Sequence, residues 1–131
     1  ITTVDDEARK KYEQNAGGVE ERLGALLTFH EKGIPTFAFL GPLMPGISDK
    51  DLEAFIIAIA KTKVSYVMID RLRMKPGLWS GIEAFLSSYD ASLIPRYREI
   101  LFKPDNTYFL ELRSKVVQLC KKYDLRCEPC F

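Results

Sequence analysis

Two short apolar runs flank one amphipathic helical pattern in the first half of the chain. The runs Ile34–Leu40 and Val64–Ile69 are rich in β-branched and aromatic residues and carry almost no polar residue. Such runs are typical of strands buried on both faces of a parallel sheet. Between them, apolar residues recur at the spacing of one helix face, at Leu52, Phe55, Ile56, Ile59 and Ala60. The pattern therefore predicts a strand–helix–strand unit with parallel strands.

The spacing of apolar residues and the residues that typically begin or end helices predict the remaining helices and strands. Helices are expected over residues 5–15, 19–32, 82–89, 92–102 and 105–123, and a last strand over 125–131. Gly33 is a common helix stop, and Pro95 is tolerated in the first turn of its helix. Two capping boxes are predicted, Thr3 with Asp6 and Ser48 with Asp51. Residues 1–3 have the composition of the end of a strand, so a parallel strand is expected there too.

The segments that follow the two predicted strands are the candidate functional segments. Gly41–Gly46 is a stiff turn with two glycines, and Asp70–Arg73 is a cluster of charged residues. Both lie at the carboxyl ends of parallel strands, where α/β proteins place their sites. For the first segment, a turn without further function is the favoured interpretation. For the second, a site is favoured.

Composition sets broad limits on the class of protein. A chain of 131 residues with 47% hydrophobic and 28% charged residues is ordinary for one globular domain. The net charge of +1 argues against a dominant field for nucleic acid or a membrane surface. No apolar run is long enough to span a bilayer, and no signal peptide is visible. An odd number of cysteines, three, favours the reducing cytoplasm over a disulfide framework.

The cysteines allow several interpretations. Cys127 and Cys130 have the spacing of a redox or metal pair, and Cys120 lies upstream of them. A zinc site would usually need a fourth ligand, and the lone histidine, His30, is remote in sequence and a weak catalytic signal. Three cysteines are in principle enough for an iron–sulfur cluster. Because Cys120 falls on the predicted buried face of the last helix, structural cysteines are favoured.

Four segments come in a familiar order and spacing: Ile1–Glu7, Glu20–Leu23, Gly33–Ile34 and Gly41–Asp49. Together they resemble the latter half of radical S-adenosylmethionine enzymes, in the branch related to spore photoproduct lyase and often named DNA repair photolyase-like. The resemblance is good over about residues 1–73 and loose over residues 76–131. It implies an α/β fold, the C-terminal half of a partial (β/α)6 TIM-like barrel with outer helices.

The resemblance also implies a chemistry. In that family, three cysteines in a C-x-x-x-C-x-x-C pattern bind a 4Fe-4S cluster, and S-adenosylmethionine chelates the fourth iron. Reductive cleavage gives a 5′-deoxyadenosyl radical, which abstracts hydrogen from a substrate that the sequence does not identify. This chain has no such cysteine pattern. Residues 1–131 are therefore expected to be a single half-barrel domain of a longer protein, inactive without the cluster-binding half.

The resemblance assigns roles to residues of this chain that match the family's pattern by position. It assigns binding roles only, with no catalytic residue and no metal ligand. Arg22 would pair with the cofactor carboxylate, although an ion pair with a neighbouring glutamate is weighed equally. The cofactor-binding residues that the resemblance implies are Thr2, Thr3, Arg22, Gly41, Pro42 and Asp70. The substrate-binding residues that it implies are Arg71 and Arg73.

Two alternatives to the radical S-adenosylmethionine enzyme stay open. The chain is either part of a metal- or phosphate-dependent barrel lyase, or a non-catalytic barrel remnant that acts as a binding module. Relatives of spore photoproduct lyase suggest nucleic acid as a partner, through a basic rim formed by Arg71, Arg73, Lys75, Arg96, Arg98 and Lys103. A half-barrel also exposes a strand edge at Ile1, which predicts self-association.

Overall fold

The computed structural model describes residues 1–131 and contains one parallel sheet with six α-helices. The strands are β1 (Phe37–Leu43), β2 (Tyr66–Arg71) and β3 (Cys127–Pro129), and they lie in the order β1-β2-β3. The helices are α1 (Asp6–Tyr12), α2 (Val19–Glu31), α3 (Leu52–Lys61), α4 (Leu78–Tyr89), α5 (Ile94–Phe102) and α6 (Tyr108–Lys122). The predicted α/β class with parallel strands is confirmed, and so is the last strand.

Strands β1 and β2 form the centre of the fold. Their register runs from Phe37 opposite Tyr66 to Leu40 opposite Ile69, and then shifts so that Leu43 lies opposite Arg71. The shift falls at Gly41 and Pro42, which are joined by a cis peptide bond. Both strands therefore end at the same edge of the sheet, with the segments after Leu43 and Arg71 side by side.

One face of the sheet is buried. Ala38 and Leu40 of β1 and Val67 and Ile69 of β2 are at most 3% exposed. They belong to one continuous hydrophobic cluster with the apolar faces of α3 and α6, which contribute Phe55, Ile56, Ile59, Leu112, Val116 and Cys120. Helix α3 forms because its apolar residues recur at helical spacing, and burying that face against the strands is what stabilises it.

The opposite face of the sheet is largely open, so the prediction that both faces are buried is wrong. Phe37 and Phe39 are 46% and 41% exposed. The Phe37 ring stacks on Tyr66 across the strands, with centroids 5.0 Å apart. Since aromatic side chains here face outward, the absence of polar residues in β1 reflects an apolar surface rather than a second helical layer.

Helices α4 and α5 close the carboxyl end of the sheet. Their buried residues Ile82, Leu86, Tyr97 and Ile100 join the same hydrophobic cluster as the strands. Helix α1 packs against α4, and the rings of Tyr12 and Phe85 lie 5.2 Å apart. Pro95 lies in the first turn of α5, as predicted. The helices thus surround the segments that leave β1 and β2.

The amino-terminal predictions need correction. Residues 1–3 form no strand, although the Ile1 nitrogen donates to the Phe39 carbonyl at 2.7 Å and so lies against the free edge of β1. The edge strands of the sheet are accordingly β1 and β3. Asp5, rather than Thr3, caps α1, because its carboxylate accepts from the N–H groups of Glu7 and Ala8.

The second predicted capping box is also wrong. Asp51 precedes α3 but makes no side-chain cap hydrogen bond. The Ser48 hydroxyl instead accepts from the Met44 N–H at 2.8 Å and donates to the Thr2 carbonyl at 2.6 Å. Ser48 is therefore used to fix the turn after β1 to the start of the chain. None of the helices has the length and apolar character needed to cross a membrane.

Candidate functional site

A cavity of about 420 Å³ lies at the carboxyl ends of β1 and β2, and we call it the strand-end cavity. Four of its lining residues were predicted from the sequence as site residues: Pro42, Asp70, Arg71 and Arg73. They meet because parallel neighbouring strands end at one edge of the sheet. Helices α1 and α4 supply other walls of the cavity, among them Tyr12 and Ile82, which sequence patterns did not single out.

Asp70 and Arg73 form an ion pair with each other in the cavity wall. The Arg73 Nη2 atom lies 3.0 Å from Asp70 Oδ1 and donates also to the carbonyl of Cys130 at 2.9 Å. The same carboxylate oxygen accepts the backbone N–H of Arg71 at 2.9 Å. Asp70 therefore holds the segment after β2 in place, and Arg73 links it to the end of β3.

Arg71 is arranged differently. It forms no ion pair with a carboxylate, and its guanidinium carbon lies 5.8 Å from the centroid of Phe109 and 6.0 Å from that of Phe131. A guanidinium over aromatic rings keeps its N–H donors free at the edge of the plane. Lys75 lines the same cavity and has no ion pair either, so Arg71 and Lys75 are the cations of this wall that are free to meet a ligand.

The glycines of the turn after β1 are explained by packing within the chain. A Cβ atom on Gly41 would lie 2.7 Å from Cε1 of Phe39, so the Phe39 ring occupies the space above this glycine. Gly46 has φ +74°, and a Cβ there would lie 2.8 Å from Cδ2 of Leu93. The resemblance to radical S-adenosylmethionine enzymes implies that this turn lies beside the adenosyl group of the cofactor, with glycines that allow close approach. Packing within the chain already accounts for both glycines.

Thr2, Thr3 and Arg22 do not line the strand-end cavity. Thr2 and Thr3 are 2% and 4% exposed. The Thr2 hydroxyl donates to Glu13 Oε1 at 3.0 Å, and Arg22 Nη2 lies 2.9 Å from Glu13 Oε2. Arg22 therefore does form an ion pair with a glutamate, but the alternative expected an exposed pair with a neighbouring glutamate, and the observed pair is half-buried and formed with Glu13. Nothing in the sequence pattern signalled Glu13, because the contact joins the end of α1 to α2.

We expect Glu13→Gln to lower the free energy of unfolding by about 1–2 kcal/mol, because it leaves the half-buried Arg22 without its counter-charge. The Arg22 and Glu13 side chains are 27% and 21% exposed, so solvent screens part of the effect. The matched control is Glu20→Gln on the exposed side of α2, which should change stability by less than about 0.5 kcal/mol. Urea denaturation of both variants measures the difference, and equal small effects would leave Arg22 free for a ligand.

The predicted basic rim is only partly formed. Arg71, Arg73 and Lys75 line the strand-end cavity. Arg96 lies 3.6 Å from Asp49, and Arg98 lies 2.7 Å from Glu83. The two arginines of α5 are therefore partnered elsewhere, and the cations nearest the strand ends come from the segment after β2.

The three cysteines are free thiols that differ in exposure. Cys120 is buried, Cys127 is half-buried and Cys130 is exposed. The hydrogen bond to Cys127, together with burial, raises the pKa of the Cys120 thiol, whereas the same hydrogen bond lowers the pKa of Cys127. No group of three or more His, Cys, Asp or Glu side chains is placed to hold a metal ion.

The residues carried over for S-adenosylmethionine do not form one site. Pro42 and Asp70 line the strand-end cavity, whereas Thr2 and Arg22 are bound to Glu13 and the space above Gly41 is filled by Phe39. Asp70 in turn is bound to Arg73. This chain's own residues therefore do not fit the cofactor in the predicted way, and we assign them no step in its chemistry.

A second groove, of about 470 Å³, lies between α2 and α3. Leu27, Ala58 and Lys61 are among its lining residues, and none of the predicted site residues is. Its charged lining residues are Glu20 and Lys61, against four charged residues at the strand ends, and for this reason we take the strand-end cavity as the candidate site.

Comparisons of the sequence with family models and with curated proteins, and of the structure with solved structures, gave no match. The geometry of the strand-end cavity and the quoted sequence segments are accordingly the basis for a functional proposal.

Proposed function

We propose that this chain is the substrate-binding part of an α/β barrel-type enzyme, with the strand-end cavity as its substrate site. The observation that carries the proposal is the convergence of Pro42, Asp70, Arg71 and Arg73 on one cavity. The carboxyl ends of parallel strands are where enzymes of this architecture bind their substrates. The fixed Asp70–Arg73 pair and the free Arg71 supply charged groups of both signs at the cavity wall.

The finer proposal is that the enzyme is a radical S-adenosylmethionine enzyme of the branch related to spore photoproduct lyase. It rests on the four sequence segments, and it is compatible with a parallel sheet whose apolar face at Phe37 and Phe39 is uncovered, as the inner face of a half-barrel would be. Under this proposal, the cluster ligands and most cofactor contacts come from residues other than those of this chain.

We expect residues 1–131 alone to take up no stoichiometric four-iron cluster and to form no 5′-deoxyadenosine. Cys120 is buried on α6, and exposing it would disrupt the end of that helix and its packing. Anaerobic reconstitution with iron and sulfide, followed by iron analysis and chromatography after addition of dithionite and S-adenosylmethionine, measures both quantities. A cluster that is lost in Cys127→Ala and Cys130→Ala would contradict this prediction.

The deciding comparison uses the encoded sequence upstream of Ile1. A closely spaced cysteine triplet there, with 5′-deoxyadenosine formed by the longer protein, would support the radical enzyme. A longer protein that binds neither iron nor S-adenosylmethionine would overturn the finer proposal and favour the binding module.

A further inference from the structure

A second cavity of about 420 Å³ lies next to the strand-end cavity, and we call it the cationic cavity. The two share Arg71, Leu72 and Arg73 in their walls. The cationic cavity is also lined by Lys103 and Asn106, and no carboxylate side chain lines it. The segment Arg71–Arg73 thus faces two spaces. In the one on the side of α5 and α6, the charged and polar lining residues are three cations, Arg71, Arg73 and Lys103, and one amide, Asn106, among apolar residues.

The cations of this cavity are not equally available. Arg73 is bound to Asp70 and to the Cys130 carbonyl. Lys103 pairs with Glu99 at 2.9 Å, but both side chains are more than half exposed, and such a pair is readily exchanged for a ligand. Arg71 has aromatic rings on its face and no carboxylate partner, so its donors are the ones that a bound anion would meet first.

Asn106 adds a neutral donor. Its Oδ1 atom accepts the backbone N–H of Tyr108 at 2.9 Å, which leaves the side-chain NH₂ group without a partner. Arg71 comes from the end of β2, whereas Lys103 and Asn106 come from the connection between α5 and α6. Two separate segments thus bring donors to one cavity. A phosphate group, with several strong acceptor oxygens, satisfies such a set better than a carboxylate with two.

We propose that the cationic cavity binds the phosphate group of a small phosphorylated molecule, with Arg71 as the principal contact and Lys103 and Asn106 as further donors. The inference rests on the proposed function, because it takes the adjoining strand-end cavity as the place for the rest of the same substrate. The donors converge on one cavity instead of following a track, and the chain's net charge is +1, so a small molecule is favoured over a nucleic acid strand.

The test is a titration of the protein with inorganic phosphate, followed by ¹H–¹⁵N NMR, with sodium chloride at equal ionic strength as the reference. We expect saturable shifts confined to residues 71–73 and 103–106, and weaker shifts with acetate. Arg71→Gln should weaken phosphate binding by about tenfold or more, since a charged hydrogen-bonding partner is lost. Arg71→Lys should restore only part of the affinity, because it keeps the charge without the planar donors.

The matched control is Arg126→Gln, which removes another exposed arginine that lies over an aromatic ring, that of Tyr66. It should leave phosphate binding unchanged, and the spectra themselves report whether each variant is folded. Shifts that do not saturate, that occur equally with chloride, or that survive Arg71→Gln would overturn the inference. Tighter binding of a single-stranded oligonucleotide with a steep salt dependence would overturn it as well, in favour of nucleic acid.

This experiment involves neither iron nor S-adenosylmethionine, so its outcome is independent of the test for radical chemistry. Saturable phosphate binding in a protein whose longer form makes no 5′-deoxyadenosine would leave the inference standing and overturn the radical chemistry. If the longer protein forms 5′-deoxyadenosine but phosphate does not bind saturably, the radical chemistry stands and a phosphorylated substrate is excluded.

Discussion

Leu40→Ala is expected to lower the free energy of unfolding by about 3 kcal/mol, whereas Phe39→Ala should cost about 1 kcal/mol or less. The two residues are adjacent in β1, but Leu40 is 0% exposed and Phe39 is 41% exposed. Leu40 lies within the cluster covered by α3 and α6, and its truncation leaves a cavity there. Phe39 lies on the open face, where 41% of the residue stays exposed and its ring lies over Gly41, so its truncation leaves no enclosed cavity.

Urea denaturation of the two variants measures the difference, with the slope of the transition as a check that both unfold from the same native state. If Phe39→Ala proves as costly as Leu40→Ala, the open face is covered in solution by something that also buries Phe39. Such a result would support self-association or a further part of the protein on this face.

Gly46→Ala is expected to destabilise the protein by about 3 kcal/mol, from a left-handed backbone conformation and a steric clash together. Its φ is +74°, and the new methyl group would lie 2.8 Å from Leu93 Cδ2. Leu93 belongs to the 3-10 turn before α5, so the clash would push α5 away from the turn after β1.

Gly77→Ala is the matched control, because Gly77 has φ +80° and no atom within 4 Å of the added Cβ. It should cost only about 1–2 kcal/mol, the part due to the backbone conformation. Thermal and urea unfolding of both variants isolates the packing contribution at Gly46. Equal costs would mean that Leu93 moves aside freely and that the turn after β1 is not fixed by α5.

The fold was largely predictable because local patterns decide most of it. The face of α3 that the sequence marks as apolar is the face that is buried, with Leu52, Phe55, Ile56 and Ile59 all at most 3% exposed. Strand β1 begins and ends three residues later than predicted. Its later end reflects pairing that continues through Gly41–Pro42 to Leu43, whose carbonyl accepts from the Leu72 N–H. Which face of β1 is covered depends on where α6 packs, and a short apolar run holds no information on that.

The site was predictable where topology alone brings residues together. Pro42 and Asp70 lie at the carboxyl ends of neighbouring parallel strands, and this fact is enough to place them in one cavity. The environment of Arg22 depends on Glu13, which lies beyond the end of α1 and has no periodic relation to α2. Likewise, the pairing of Arg73 with Asp70, and the absence of such a partner for Arg71, depend on side-chain geometry rather than on composition.

The end of the chain supports a wall of the strand-end cavity without lining it, because the Cys130 carbonyl accepts from Arg73. Strand β3 has three residues and pairs only with β2. The loop that β2–β3 pairing closes is roughly twice as long as the one that β1–β2 pairing closes, and this doubling costs only about 0.6 kcal/mol of loop-closure entropy. Because β3 is short and lies at the edge of the sheet, we expect it to open locally more readily than the β1–β2 pair. Because Arg73 donates to the Cys130 carbonyl just after β3, each such opening also releases Arg73 from one of its two partners. We therefore expect the order of the Arg73 side chain at the cavity wall to depend on the local opening free energy of β3.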